Sequence, residues 1–115
     1  MMKIGTIVLT PFPFTDLTIN KRRPAVVISP VMDNNPDVIV AFISSVIPPI
    51  LDACDYVLSN QHRDFPLSGL KKSSVFKMNK LVTLDKSIFK GEIGEISPIT
   101  ILDLQAKLKI ALDLT

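Results

Sequence analysis

The chain has 115 residues, 47% hydrophobic and 21% charged, which suits one ordered core and argues against disorder or a second domain; residues 1–115 read as a single domain. A net charge of +2 and a pI near 8.8 exclude a histone-like polycation, so any contact with nucleic acid has to come from local clustering of cations. One cysteine, Cys54, rules out an intramolecular disulfide and a cysteine-rich zinc site, and one histidine, His62, argues against zinc altogether.

In chain order, Ile4 to Leu9 is short, apolar and punctuated by Gly5, which predicts a first strand stopped by Pro11-Phe12-Pro13-Phe14. Thr15 to Asn20 reads as a polar loop. Ala25 to Ser29 is a second strand, since Val26, Val27 and Ile28 carry branched side chains that suit a pleated surface. Asp33-Asn34-Asn35-Pro36-Asp37 is a turn, because Asn and Asp bond their own backbone and tolerate left-handed geometry. Val38 to Val46 is a third strand, apolar until Ser44-Ser45 and ended by Pro48-Pro49. Tyr56 to Leu58 is a short fourth strand, and Asn60 to Gly69 a polar, irregular loop. Ser74 to Met78 and Leu81 to Leu84 read as two strands or one bent strand with Asn79 between. Phe89 to Ile96 alternates weakly around Gly91 and Gly94.

The period then changes. Ile101, Leu104, Leu108 and Ala111 recur at helical spacing, with Leu112 adding to the stripe, after Ser97 as N-cap and Pro98 at the first helical position. Short strands separated by turns, then one helix, predict a mainly β fold: a small barrel with a terminal helix packed on it. No apolar run approaches membrane-spanning length, so the chain reads as soluble and cytoplasmic. The mean hydropathy of +0.37 is high for a domain of this size, which predicts an apolar interface with another chain.

The richest stretch for chemistry is Lys21-Arg22-Arg23-Pro24, three cations set against the apolar Ala25-Val26-Val27-Ile28. Pro24 lacks an N–H, so it can open a strand but not occupy the centre of a sheet, and it biases Arg23 toward extended backbone. That holds a permanently charged fork of donors at a fixed place, suited to phosphate; the plain alternative is a cationic loop that only aids solubility. Ser44-Ser45 close a buried strand, where a hydroxyl can donate to a phosphate oxygen or merely bond nearby backbone. His62, beside Gln61, is a candidate acid or base or an exposed loop histidine, and Asp16 a candidate to orient Arg22 or Arg23 or a solvated turn residue. Lys71, Lys72, Lys77 and Lys80 can track a phosphate backbone or form the polar face of strands. P-loop, G-x-S-x-G and H-E-x-x-H motifs are missing, which leaves arginine, hydroxyls and carboxylates to carry any reaction, with no metal and no cofactor expected.

The order Gly5-Thr6-Ile7-Val8, then Arg23-Pro24-Ala25-Val26-Val27-Ile28-Ser29, then an apolar strand ending in hydroxyls, resembles the MazF/PemK toxins. Ser74-Val75-Phe76-Lys77, Leu81-Val82-Thr83-Leu84-Asp85-Lys86 and the Gly91 to Ser97 stretch before a helix extend the resemblance from Gly5 to Leu114. It implies an SH3-like barrel, a homodimer, and a sequence-specific endoribonuclease neutralised by a cognate antitoxin. Its substrate would be single-stranded RNA, with messenger RNA the expected class. The implied reaction is metal-independent attack of a ribose 2′-hydroxyl on the adjacent phosphate, leaving 2′,3′-cyclic phosphate and 5′-hydroxyl ends. Arg23 matches the family's catalytic arginine. Ser44 falls where the family usually has threonine, keeping the hydroxyl and losing the methyl that would stiffen its rotamer. Arg22, Ser45, Asp16, Gln61, His62 and Lys77 complete the candidate substrate-contacting set. Two alternatives stay open: the related CcdB toxins resemble the same barrel and poison DNA gyrase by binding it, and a degenerate member would bind RNA without cutting.

Overall fold

A computed structural model describes residues 2–11 and 22–114. Six strands, β1 (Thr6–Pro11), β2 (Arg22–Val27), β3 (Asp37–Ser44), β4 (Asp55–Leu58), β5 (Ser74–Asp85) and β6 (Gly91–Glu95), form one antiparallel sheet in the order β4-β5-β3-β2-β1-β6. The sheet curls into a half-barrel, with a short helix α1 (Phe65–Ser68) before β5 and the long helix α2 (Pro98–Ala111) after β6. The mainly β architecture with a closing helix is the one the sequence predicts.

The apolar runs lack a polar partner at alternate positions because the sheet is covered on both faces. Ile7, Val26, Ala41 and Ile43 join Leu58, Phe76, Met78 and the helix residue Leu104 in one buried cluster. Their neighbours Val8, Ala25, Val27, Val40 and Phe42 build a second, against which Val82, Leu84 and Phe89 pack. β5 serves both: its pairing with β3 jumps from Ala41↔Leu81 to Phe42↔Lys77, so the segment around Asn79 is a bulge in one bent strand.

Strand ends differ from the predicted ones for local reasons. Gly5 takes a positive φ of +95°, a turn that delays β1 to Thr6. β2 starts earlier, at Arg22, because β1 pairs with it from Pro11↔Arg22 onward. Pro24 therefore lies inside a strand, but β3 joins β2 only from Ala25, so the flank beside the proline is open. Beyond Val27 the Ile28 N–H still donates to the Ile39 carbonyl, and the Ser29 hydroxyl replaces the backbone as acceptor for the Ile39 N–H. β3 stops at Ser44 because its hydroxyl captures the Val46 N–H at 3.1 Å. The predicted turn is present, with Asn35 Oδ1 accepting from the Asp37 N–H at 2.9 Å.

The stretch Asn60 to Gly69 is less irregular than predicted, since it contains α1 with Pro66 in its first turn and Gly69 as a left-handed cap at φ +72°. Gly69 is held there by the Ile93 carbonyl of β6, against which any Cβ would collide, and Gly94 is pressed against the backbone of Leu67 and Ser68 in the same way. α1 thus seals the edge of β6. In α2 the predicted Ser97 cap accepts from the Thr100 N–H, and Ile101, Leu104, Leu108 and Ala111 face the core. Leu112 does not extend that stripe: the helix ends at Ala111, Leu112 leaves helical geometry, and its side chain is exposed.

Candidate active site

Arg23 sits opposite Thr10 of β1, a fully buried residue, and one position before Pro24. The pairing fixes its backbone while its side chain, half-buried, reaches the surface where β2 has lost its β3 neighbour. Ser44, at the end of β3, is also half-buried and paired with Val75. Its hydroxyl accepts from the Val46 N–H at 3.1 Å and donates to the Val46 carbonyl at 3.3 Å. That backbone clamp gives the serine rotamer the restraint that a β-branched residue would supply through its methyl.

Arg23 and Ser44 line one cleft of about 370 Å³, together with Phe42, Val46, Lys77 and Lys80. Lys77 is held from behind. Its ammonium lies 3.3 Å from each oxygen of Asp55, which faces it across the β4–β5 pair and is itself fully buried; the Asp52 N–H donates to the same carboxylate at 3.0 Å. A second cleft, of about 350 Å³, lies on the other side of Arg23 and includes Ser45, Lys71 and Lys72. Among the described residues that line the two clefts, five are cations and none is a carboxylate. Such a surface is suited to a polyanion, and the half-buried guanidinium at the junction to a phosphate.

The predicted site residues divide accordingly. Arg23, Ser44 and Lys77 come together; Ser45, exposed, lines the neighbouring cleft; Arg22 is exposed one residue before Arg23. Asp16 lies outside the described residues. Gln61 and His62 line neither cleft. The Gln61 N–H donates to Ser59 Oγ, and its side chain is exposed. His62 Nδ1 accepts the Asp64 N–H at 3.0 Å, so that nitrogen carries no proton, and Nε2 donates to the Tyr56 hydroxyl at 2.8 Å. Burial raises the Tyr56 phenol above its ordinary value, and the Asp103 carboxylate adds to the effect. Next to this pair, buried Asp64 accepts from the Ser97 N–H, the Ser97 hydroxyl and the Thr100 hydroxyl. Burial alone would push its carboxyl up, but those three donors outweigh it and hold it below the usual aspartate range.

Asp55 and Asp64 are the residues that sequence reasoning missed. For Asp55 a signal existed: Lys77 is a lone charge in the apolar run Val75-Phe76-Lys77-Met78, and such a residue requires a partner when its strand is buried. For Asp64 the local signal misleads. It stands at the N-cap of α1, yet its side chain makes no bond there and serves the start of α2 instead. Among the described residues no group of three or more His, Cys, Asp or Glu side chains is placed to hold a metal ion.

The sequence matches the profile described as PemK-like, MazF-like toxin of type II toxin–antitoxin systems over residues 3–112. No curated protein sequence matches it. Among solved structures the fold is similar to an endoribonuclease in complex with its cognate antitoxin from a mycobacterial species, at a TM-score of 0.76 and 16% identity, covering 100% of this chain and 98% of that one. It is similar to the Mycobacterium tuberculosis toxin MazF-mt6, at 0.69 and 16%, covering 96% and 98%. A MazE–MazF complex from Deinococcus radiodurans matches at 0.72 and 19%, covering 99% and 97%. At these identities the likeness establishes the fold.

Proposed function

This chain belongs to the family of PemK-like, MazF-like toxins of type II toxin–antitoxin systems, and on that premise we propose that it is a single-domain cytoplasmic endoribonuclease that cuts single-stranded RNA at the Arg23–Ser44 cleft. The observation that carries the reading is the meeting of Arg23, Ser44 and Lys77 in one cleft whose described lining holds no carboxylate. The similar mycobacterial structure is an endoribonuclease bound to an antitoxin, which supports both the reaction class and an antitoxin partner.

The reaction is a transesterification within the RNA. The 2′-oxygen bonds to phosphorus as the phosphorus–5′-oxygen bond breaks; the 2′-hydroxyl gives up its proton and the departing 5′-oxygen takes one. The products are a 2′,3′-cyclic phosphate and a 5′-hydroxyl end. Negative charge grows on the non-bridging oxygens in between, where the half-buried guanidinium of Arg23 is worth more than it would be in water. Arg23 stays protonated throughout, so its part is electrostatic and positional. Ser44 turns its hydrogen from the Val46 carbonyl to a non-bridging oxygen while the Val46 N–H keeps its oxygen in place. Lys77, pinned by Asp55, supplies a second fixed cation, and Ser45 lines the adjoining cleft. Because Arg23 and the lysines provide the charge, the reaction runs without a metal. Single-stranded RNA is favoured because unpaired bases can be splayed into clefts and read there, which is the basis for a preferred cleavage sequence, with messenger RNA the expected target. A homodimer would cover part of the exposed apolar surface.

The decisive experiment is digestion of a long single-stranded RNA in EDTA by wild type, Arg23→Ala and Ser44→Ala, with the ends mapped. Discrete cuts with cyclic-phosphate ends are expected from wild type. The Arg23→Ala rate should fall by about 10²–10³-fold or more, and the Ser44→Ala rate by about 10- to 100-fold. Normal cutting by Arg23→Ala would remove the assigned centre, and no cutting by folded wild type would remove the activity.

A further inference from the structure

The second cleft has a different character from the first. Its walls include Leu9, Pro24 and Ile93, and its rim carries Lys71 and Lys72. Leu9 is the telling residue. Strand alternation puts it on the same face of β1 as the core residue Ile7, yet it packs in neither buried cluster and stays half-exposed. It contributes an apolar wall to a cleft instead of a side chain to the core.

The rim is held in place although its lysines are exposed. Upstream, Gly69 is seated against the Ile93 carbonyl, and the Leu70 N–H donates to Ser68 Oγ at 3.1 Å. Downstream, the Lys72 carbonyl accepts from Ser74 Oγ at 2.8 Å, and Ser73 Oγ accepts from the Asn60 N–H at 2.8 Å. A backbone tied on both sides loses little freedom when its lysines bind. Both clefts include Arg23, so an RNA strand whose scissile phosphate rests on that guanidinium has the second cleft directly beside it.

We propose that this second cleft is a nucleotide subsite, in which the base next to the scissile phosphate lies against Leu9, Pro24 and Ile93 while Lys71 and Lys72 hold the adjoining phosphate. Its volume of about 350 Å³ admits a base with its ribose, and apolar walls under a cationic rim match the two halves of a nucleotide. The inference rests on the endoribonuclease reading, and its test separates the two.

The probe is a short 2′-O-methyl RNA of mixed sequence, which cannot be cut because the attacking hydroxyl is blocked. Its affinity for wild type, Lys71→Ala/Lys72→Ala and Leu9→Ala is measured over a range of salt concentrations, with cutting of ordinary RNA followed in parallel. Neutralising one phosphate of a single strand contributes about 0.7 to the slope of log affinity against log salt, so losing the lysine pair that holds that phosphate should lower the slope by about 0.7. Leu9→Ala should weaken binding about fivefold with the slope unchanged, because it removes apolar contact and no charge. If wild type binds and cuts RNA while both variants bind as wild type does, the subsite is wrong and the endoribonuclease reading stands. If wild type neither binds nor cuts, both fall. The lysine variant alters two exposed positions, so its result stands even if Leu9→Ala folds poorly.

Discussion

Lys77 and Asp55 face each other across β4 and β5, with the carboxylate fully out of solvent and the ammonium opening narrowly into the Arg23 cleft. Burying both charges gives away hydration that their attraction only partly returns, so the pair is weak as a source of stability. Breaking it is another matter, because a lone buried carboxylate has lost both its water and its cation. Lys77→Met is therefore expected to destabilise the fold by about 3 kcal/mol, and Asp55→Asn by less, since the lysine left behind can reach water through the cleft. A double-mutant cycle read by urea unfolding should show coupling above about 1 kcal/mol; simple additivity would mean that the two charges do not depend on each other. In the proposed RNA-binding cleft the same arrangement would fix where the ammonium stands before substrate arrives.

Helices α1 and α2 are joined through Asp64, which receives the Ser97 N–H and the hydroxyls of Ser97 and Thr100. Ser97 also caps α2, so one carboxylate organises the start of that helix and the loop that precedes β5. Its folded-state pKa is depressed, so the charge is held to lower pH in the folded chain than in the unfolded one. The stability it contributes is complete above the usual aspartate range and is lost as pH falls from that range through the folded value. Exposed Asp85 shifts in the same direction, through its hydrogen bonds from Ser87, and adds to the same acid limb. Asp64→Asn should flatten the loss of stability on acidification relative to wild type, measured by thermal unfolding at a series of pH values. An unchanged acid limb would show that other carboxylates govern it. Within this element the His62 ring is engaged by the Tyr56 hydroxyl and the Asp64 backbone, away from both clefts.

At the scale of the molecule, large apolar side chains among the described residues are exposed at several places, Met32 and Leu67 included, and two stretches stand out. The connection after β3 exposes Val46 at 75% and Ile50 at 85%, and α2 with its continuation exposes Leu102, Ile110 and Leu114 at more than half. Single exposed leucines are ordinary, but residues of this size in such number fit a protein that covers them by association. The proposed homodimer is thus expected as a two-protomer species in sedimentation velocity at micromolar concentration, with a thermal midpoint that rises with protein concentration. A monomer with a concentration-independent midpoint would remove the dimer from the reading. Among the described residues no helix is long and apolar enough to cross a membrane.

What the sequence by itself determined is local. β-branched runs marked β2 and β3, Ser97-Pro98 marked the start of α2, the Asp/Asn-rich turn was placed correctly, and Arg23 before Pro24 marked the residue at which the two clefts meet. These are properties of neighbours along the chain, where backbone sterics and side-chain shape act within a few residues. Only the tertiary structure decided which charges meet. The β4–β5 register puts Asp55 behind Lys77, the α1–β6 contact aims Asp64 at a helix 33 residues later, and Arg23 parts the lysines into two clefts. Such meetings depend on pairing between distant segments, and a one-residue slip in a strand's register would turn Arg23, Asp55 or Lys77 to the opposite face.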